Sequence, residues 1–154
     1  MPKIAVVQEP PVYLNLGKSM DRAVGLIADA ARKGCALIVF PEAWLAGYPT
    51  FVWRLVPGSG MAKTDELYAR LLANSVDRSK EGLRPLQEAA KEHGVVIVLG
   101  YQEVDGTGSR STIFNSCAII DADGRLANNH RKLMPTNAER MVWGFGDGSG
   151  LNVV

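Results

Sequence analysis

Leu37-Ile38-Val39-Phe40-Pro41-Glu42-Ala43-Trp44-Leu45-Ala46-Gly47-Tyr48-Pro49 is the stretch on which the fold turns. A short apolar run rich in β-branched residues reads as a buried strand. Pro41 cannot donate to a sheet ladder, so the strand is expected to stop there. Glu42 then sits at the carboxyl end of a buried strand, where open α/β sheets bind their ligands. Beside Trp44 and Tyr48 a carboxylate is partly desolvated, and desolvation strengthens a carboxylate as a base. A solvated loop glutamate is the alternative that this stretch alone leaves open.

Upstream, Lys3 to Gln8 reads as a first buried strand, ended by Pro10 and Pro11. From about Lys18 to Lys33, Met20, Ala23, Val24, Ile27, Ala30 and Ala31 recur at helical spacing. Gly34 suits the position just past that helix. With Ala36 to Phe40 as the second strand, this is a βαβ unit, which predicts parallel strands and a right-handed crossover.

Downstream, Thr50 to Lys63 has no clean period, holds Pro57, Gly58 and Gly60, and reads as a long loop beside the site. Thr64 suits a helix N-cap, followed by Asp65 and Glu66 in the first turn. Leu67, Leu71 and Val76 fall on one face of that helix. A further helix is expected from about Leu83 to His93, with Pro85 in its first turn, Gly94 past its end and His93 as a C-terminal cap. Val95 to Leu99, Thr112 to Ile120 and Leu126 to His130 read as strands three to five. Asp105-Gly106 and Asp123-Gly124 are turn signals that would fold these strands into an antiparallel meander. Leu151 to Val154 looks like the beginning of another strand.

The bulk numbers exclude several classes. The length, 154 residues, fits one domain. A chain of this size buries roughly 70% of its unfolded surface, enough for a core. A net charge of +1 offers no field for nucleic acid or an anionic membrane surface. No apolar stretch has the length of a signal-peptide core or a bilayer span. Cys35 and Cys117, the two cysteines, suggest neither a disulfide framework nor a zinc site, so a reducing cytoplasm is the expected compartment. No metal-ligand spacing occurs. Gly144 to Gly150 is glycine-rich, but it does not lead from a strand into a helix and is not a phosphate loop. Trp44, Trp53 and Trp143 suit either a substrate pocket or packing.

The second informative stretch is His130-Arg131-Lys132-Leu133-Met134-Pro135-Thr136, which also follows a strand. A lysine at a strand end near a carboxylate stays charged and can stabilise negative charge in a transition state. Taken alone, the same residues also fit a solvated basic strand end. Together, Phe40 to Pro49 and His130 to Thr136 resemble two of the three signature blocks of the nitrilase superfamily of carbon–nitrogen hydrolases. Tyr48-Pro49, Ala138-Glu139-Arg140, Trp143-Gly144 and Gly146-Asp147-Gly148 are similar to its nitrilase branch.

The resemblance covers Lys3 to Val154 and carries implications residue by residue. Glu42 matches the general base, Lys132 the catalytic lysine, and Glu139 a supporting glutamate that positions substrate and lysine. Tyr48 and Trp44 are expected to help position substrate. The family's nucleophilic cysteine belongs to a further block, expected shortly after Val154. Cys35 and Cys117 both read as small buried residues rather than substitutes. The implied fold class is α/β, an α-β-β-α sandwich, with residues 1–154 as the amino-terminal part of a single domain. The implied reaction converts a small-molecule nitrile to a carboxylic acid and ammonia, with no cofactor and no metal. Homo-oligomers, dimeric or spiral when the protein is complete, are the implied assembly. An amide-cleaving relative, and a non-catalytic fragment that binds ligand or joins intact subunits, are the competing readings.

Overall fold

Asn15 starts the first helix by accepting a hydrogen bond from the Lys18 N–H at 3.0 Å, so α1 runs Leu16–Arg32, two residues earlier than the apolar period implies. Met20, Ala23, Ile27 and Ala30 bury one stripe of it. The computed structural model describes residues 1–55 and 58–154; Pro57 of the expected loop lies outside the described residues. Strands β1 (Lys3–Val6) and β2 (Cys35–Val39) flank α1 and pair in parallel, as the βαβ reading requires.

Between β2 and the next central strand the chain forms α2 (Met61–Ala73), β3 (Val76–Asp77) and α3 (Arg84–His93). Two expectations fail here. Thr64 is not an N-cap: its N–H already bonds the Gly60 carbonyl at 2.9 Å, so the helical ladder begins before it. Val76 is not on the helix face. Asn74 caps α2, and Val76 pairs in parallel with Glu103. Part of the expected loop is also ordered, as a 3-10 turn over Thr50–Trp53. Gly94, at φ 61°, ends α3 as expected.

The meander follows as β4 (Val96–Val104), β5 (Ile113–Ile120) and β6 (Leu126–Arg131), antiparallel throughout. Among the described residues the sheet has six strands: β1-β2-β4-β5-β6 in order, with β3 paired to the carboxyl end of β4. β4 extends five residues past the end of its apolar run, because Gly100 to Val104 are held by β5 rather than by hydrophobicity. Residues 151–154 form no strand. Asn128 instead bonds the Gly150 carbonyl at 3.0 Å, which tethers that segment beside β6. Among the described residues no helix is long and apolar enough to cross a membrane.

One face of the sheet is covered. Ile38, Ile97, Leu99, Ala118 and Ile120 meet Ile27 of α1 and Leu86 of α3 in the main core. The other face carries Leu37 and Val39, Val96 and Val98, Ile119, and across the register from β2, Ile4 and Val6. These are half-buried at best, and Ile4 and Val6 are 54% and 69% exposed. The first strand is therefore an exposed edge strand, not the buried one expected: it pairs with β2 alone among the described residues.

An open apolar sheet face with a bare edge favours association. Light scattering on the 154-residue chain should show oligomers or aggregates. Replacing both Ile4 and Val6 with lysine should shift it towards monomer. A monodisperse wild-type monomer with one sharp calorimetric melt is the contrary result.

Candidate active site

Glu42 reaches its place because the chain leaves β2 sharply. The Phe40 N–H still bonds the Val98 carbonyl at 2.8 Å; Pro41 has no N–H, and the chain then crosses over β4. The crossing is so close that a Cβ on Gly100 would overlap the Pro41 carbonyl and the Glu42 Cα. The Leu45 N–H returns to the Gly100 carbonyl at 3.2 Å. Ala43 and Ala46 take φ of 51° and 69°, the left-handed region that costs a non-glycine residue about 1–3 kcal/mol.

Three segments then meet. The Lys132 N–H bonds the Asn115 carbonyl at 2.8 Å, which continues the β5–β6 pairing one residue past β6. Its ammonium donates to Glu42 Oε1 and to Glu139 Oε2, each at 2.9 Å. Asn115 Nδ2 donates to the same Glu42 oxygen at 2.7 Å. Among the described residues Glu42 Oε2 has no hydrogen-bond partner and remains available to a reacting group. Glu139 lies on a 3-10 turn (Asn137–Met141). It accepts from the Thr136 N–H at 2.6 Å and from the Tyr48 hydroxyl at 2.6 Å. The Trp53 indole N–H in turn donates to the Tyr48 oxygen at 3.1 Å.

Electrostatics follow from these bonds. Burial alone would push the Glu139 carboxyl up, but Tyr48, the Thr136 N–H and Lys132 outweigh it and hold the group below its ordinary range. Partial burial likewise opposes charge on Lys132, yet hydrogen bonds from its ammonium to Glu42 and Glu139 win and raise its pKa. Burial, then the bond to Glu139, raises the Tyr48 phenol, which stays a neutral donor at neutral pH.

A cavity of about 500 Å³ opens beside the cluster, lined by Glu42, Asn115 and Lys132 together with Phe40, Cys117 and His130. A recess of about 580 Å³ elsewhere, by Asp77, Lys80 and Arg110, holds none of the expected residues. Of the five site residues read from sequence, Glu42, Lys132, Glu139 and Tyr48 converge. Trp44 does not. It is 2% exposed, stacks edge-on against Phe40 and donates to the Glu9 carbonyl at 2.8 Å, so it is a core residue. Trp143 is buried behind Tyr48, with its N–H on Gln102 at 2.6 Å. Cys35 is buried as expected, whereas Cys117 is only partly buried and borders the cavity. Burial raises the Cys117 thiol, which disfavours its thiolate.

Asn115, Gln102 and His130 were missed. Gln102 on β4 and Asn115 on β5 occupy opposed positions, on the face that carries Lys132. Gln102 also donates to the Gly47 carbonyl at 3.0 Å, which pins the segment that carries Tyr48. Polar residues in a half-apolar strand were the available signal. His130 Nδ1 is buried on the cavity wall with no partner among the described residues.

This mixed α/β protein thus carries a carboxylate–ammonium–carboxylate cluster beyond the carboxyl end of a parallel strand and beside a cavity, the position at which α/β sheets bind their ligands. Residues 3–154 match the carbon–nitrogen hydrolase family model, and the chain belongs to that family. It is 40% identical over 151 residues to an aliphatic nitrilase of Rhodococcus rhodochrous, covering 98% of this chain and 39% of that protein. It is 38% identical over 152 residues to an arylacetonitrilase of Fusarium vanettenii, covering 99% of this chain and 42% of that one. The chain thus spans about two fifths of the length of these relatives. A mutant of the Nesterenkonia AN1 amidase, a nitrilase-superfamily structure, shares the fold with a TM-score of 0.65 at 18% identity, over 95% of this chain and 48% of that one.

The carboxylates give a stability test with a definite sign. A carboxyl held below its ordinary value of 4.5 contributes stability that is complete above that value and is lost as pH falls. Glu139→Gln should cost about 1.5–3 kcal/mol at neutral pH, the range of a hydrogen bond to a charged group. It should also narrow the Tm difference between neutral and acidic pH. Calorimetry at both pH values checks this, and an unchanged difference contradicts it.

Proposed function

We propose that residues 1–154 are the amino-terminal part of a single carbon–nitrogen hydrolase domain of nitrilase type, with a nitrile as substrate. The observation that carries the reading is the Lys132 ammonium between Glu42 and Glu139, with one Glu42 oxygen left open to the cavity.

In this mechanism a cysteine thiol gives its proton to Glu42 and its sulfur adds to the nitrile carbon; the proton passes to nitrogen and a thioimidate forms. Water activated by Glu42 adds next, and ammonia leaves a thioester. A second water releases the carboxylic acid and restores the thiol. Lys132 stabilises the negative charge of each tetrahedral species. Glu139 keeps the ammonium charged and aimed. Asn115 and Lys132 together fix one Glu42 oxygen, so the other serves as the base.

The sulfur is what residues 1–154 lack in this reading. The implied cysteine block falls outside them, Cys35 is buried, and the Cys117 thiol is pushed away from ionisation. The 154-residue chain alone is therefore inactive on nitriles, and a carboxyl-terminal half bearing the cysteine restores turnover. The cytoplasmic, homo-oligomeric setting expected from the sequence belongs to the same proposal.

The assay is ammonia release from aliphatic and aromatic nitriles and from the matching amides. It is run with the chain alone, with the added half, and with that half mutated at its cysteine. Activity only in the second mixture supports the reading, and preference for the amide would move the protein to the amide-cleaving class. Turnover by the chain alone, lost in Cys117→Ala, would show that Cys117 is the nucleophile.

In the active mixture Glu42→Gln should lower kcat by at least about 10², the low end of general acid–base catalysis. Lys132→Met should behave similarly. A folded variant that retains the wild-type rate removes that residue from the mechanism.

A further inference from the structure

Behind Lys132, on the opposite face of the same strands, lies a second charged cluster that no step of the proposed reaction uses. Its centre is Glu103 on β4, with a side chain 2% exposed. Arg131 forks onto Glu103 Oε1, with Nε at 3.1 Å and Nη2 at 2.6 Å. Arg78 adds Nη1 at 3.3 Å to the same oxygen. Glu103 Oε2 accepts from Ser116 Oγ at 2.6 Å and from Asn129 Nδ2 at 2.9 Å. The Tyr101 hydroxyl donates to Asn129 Oδ1 at 2.6 Å, which fixes the orientation of that amide. Burial opposes the Glu103 charge, but Arg131, Ser116 and Asn129 outweigh it and hold the carboxyl below its ordinary range.

The placement along β6 is what matters. Side chains alternate across a strand. Asn129 and Arg131 point to Glu103, while His130 and Lys132 border the cavity on the other face. Arg131 is the last residue of β6, and Lys132 is the first beyond it. A strand end frays unless something holds it, and a lysine stem loses much rotamer freedom when its ammonium is held in one place. Arg131 is held twice, by the carboxylate fork and by its guanidinium over the Phe114 ring at 4.0 Å.

We propose that Glu103 is a positioning residue: by gripping Arg131 and Asn129 from behind, it fixes the end of β6 and so sets the Lys132 ammonium between Glu42 and Glu139. The inference rests on Lys132 as the cation of the site. Its test reads the ammonium itself, so it stands or falls independently of nitrile turnover.

The experiment is competitive acetylation of the 154-residue chain with acetic anhydride from neutral to alkaline pH, quantified by peptide mass spectrometry, with exposed Lys18 as internal reference. In the wild type, Lys132 should react more slowly than Lys18. In Glu103→Gln its rate should rise about tenfold, equivalent to one pKa unit of lost support for the ammonium. Amide hydrogen exchange across β5 and β6 is measured in parallel. A rise at Lys132 with any loss of protection confined to the end of β6 supports positioning. An unchanged Lys132 rate overturns it, and so does a rise matched by lost protection throughout β5 and β6, which would make Glu103 a general support of the sheet. Should Glu103→Gln not fold, Arg131→Lys keeps the buried charge but removes the fork. A several-fold rise at Lys132 is then expected, and an unchanged rate overturns the inference.

Discussion

One ammonium group holds the candidate site together. Glu42 and Glu139 both lie within 2.9 Å of Lys132 Nζ, and without that cation two carboxylates would face each other across a partly desolvated space. The three residues come from the end of β2, the end of β6 and a 3-10 turn. The bridge therefore exists only while the sheet keeps its register. A slip of one residue between β5 and β6 would carry Lys132 to the face that Glu103 now occupies.

The second constraint is steric. Gly100 lets the Pro41–Ala43 segment cross β4 in close contact, and two alanines take left-handed backbone to complete the turn. Such strain persists where surrounding contacts over-determine it. Those contacts are identifiable: Trp44 anchored in the core, the Gly47 carbonyl on Gln102, and Tyr48 on Glu139. Each fixes the strained segment from a different side. The result is a carboxylate whose backbone has little freedom and whose outer oxygen is open.

The two faces of the sheet have different tasks. One is sealed by α1 and α3 and accounts for most of the buried apolar surface. The other is apolar but open near β1 and β2 and becomes polar towards β6, where the cavity lies. Relatives of more than twice the length have further residues available for the open part, and the amidase structure matched at 18% identity is about twice as long as the matched region. The site sits at the border between the sealed and the open regions.

Local pattern determined a good deal by itself. The apolar period of α1, the β-branched runs of β2 and β4, and the Pro41 stop are short-range effects, and they placed Glu42 at a strand end before any contact was known. The second signature stretch likewise put Lys132 among the residues of interest, and the nearby Ala138-Glu139-Arg140 resemblance did so for Glu139. Tertiary structure decided the rest. Val76 joined a strand because β4 offered it a partner, and Thr64 lay inside a helix because the Gly58–Gly60 turn had already started one. Trp44 turned to the core while Tyr48, four residues on, turned to Glu139. Asn115 and Glu103 acquired roles through bonds to residues 73 and 28 positions away in sequence. Such pairings are invisible to local pattern because strand partners are chosen by burial across the whole sheet, and a polar residue shows its task only when the partner that satisfies it has been brought alongside.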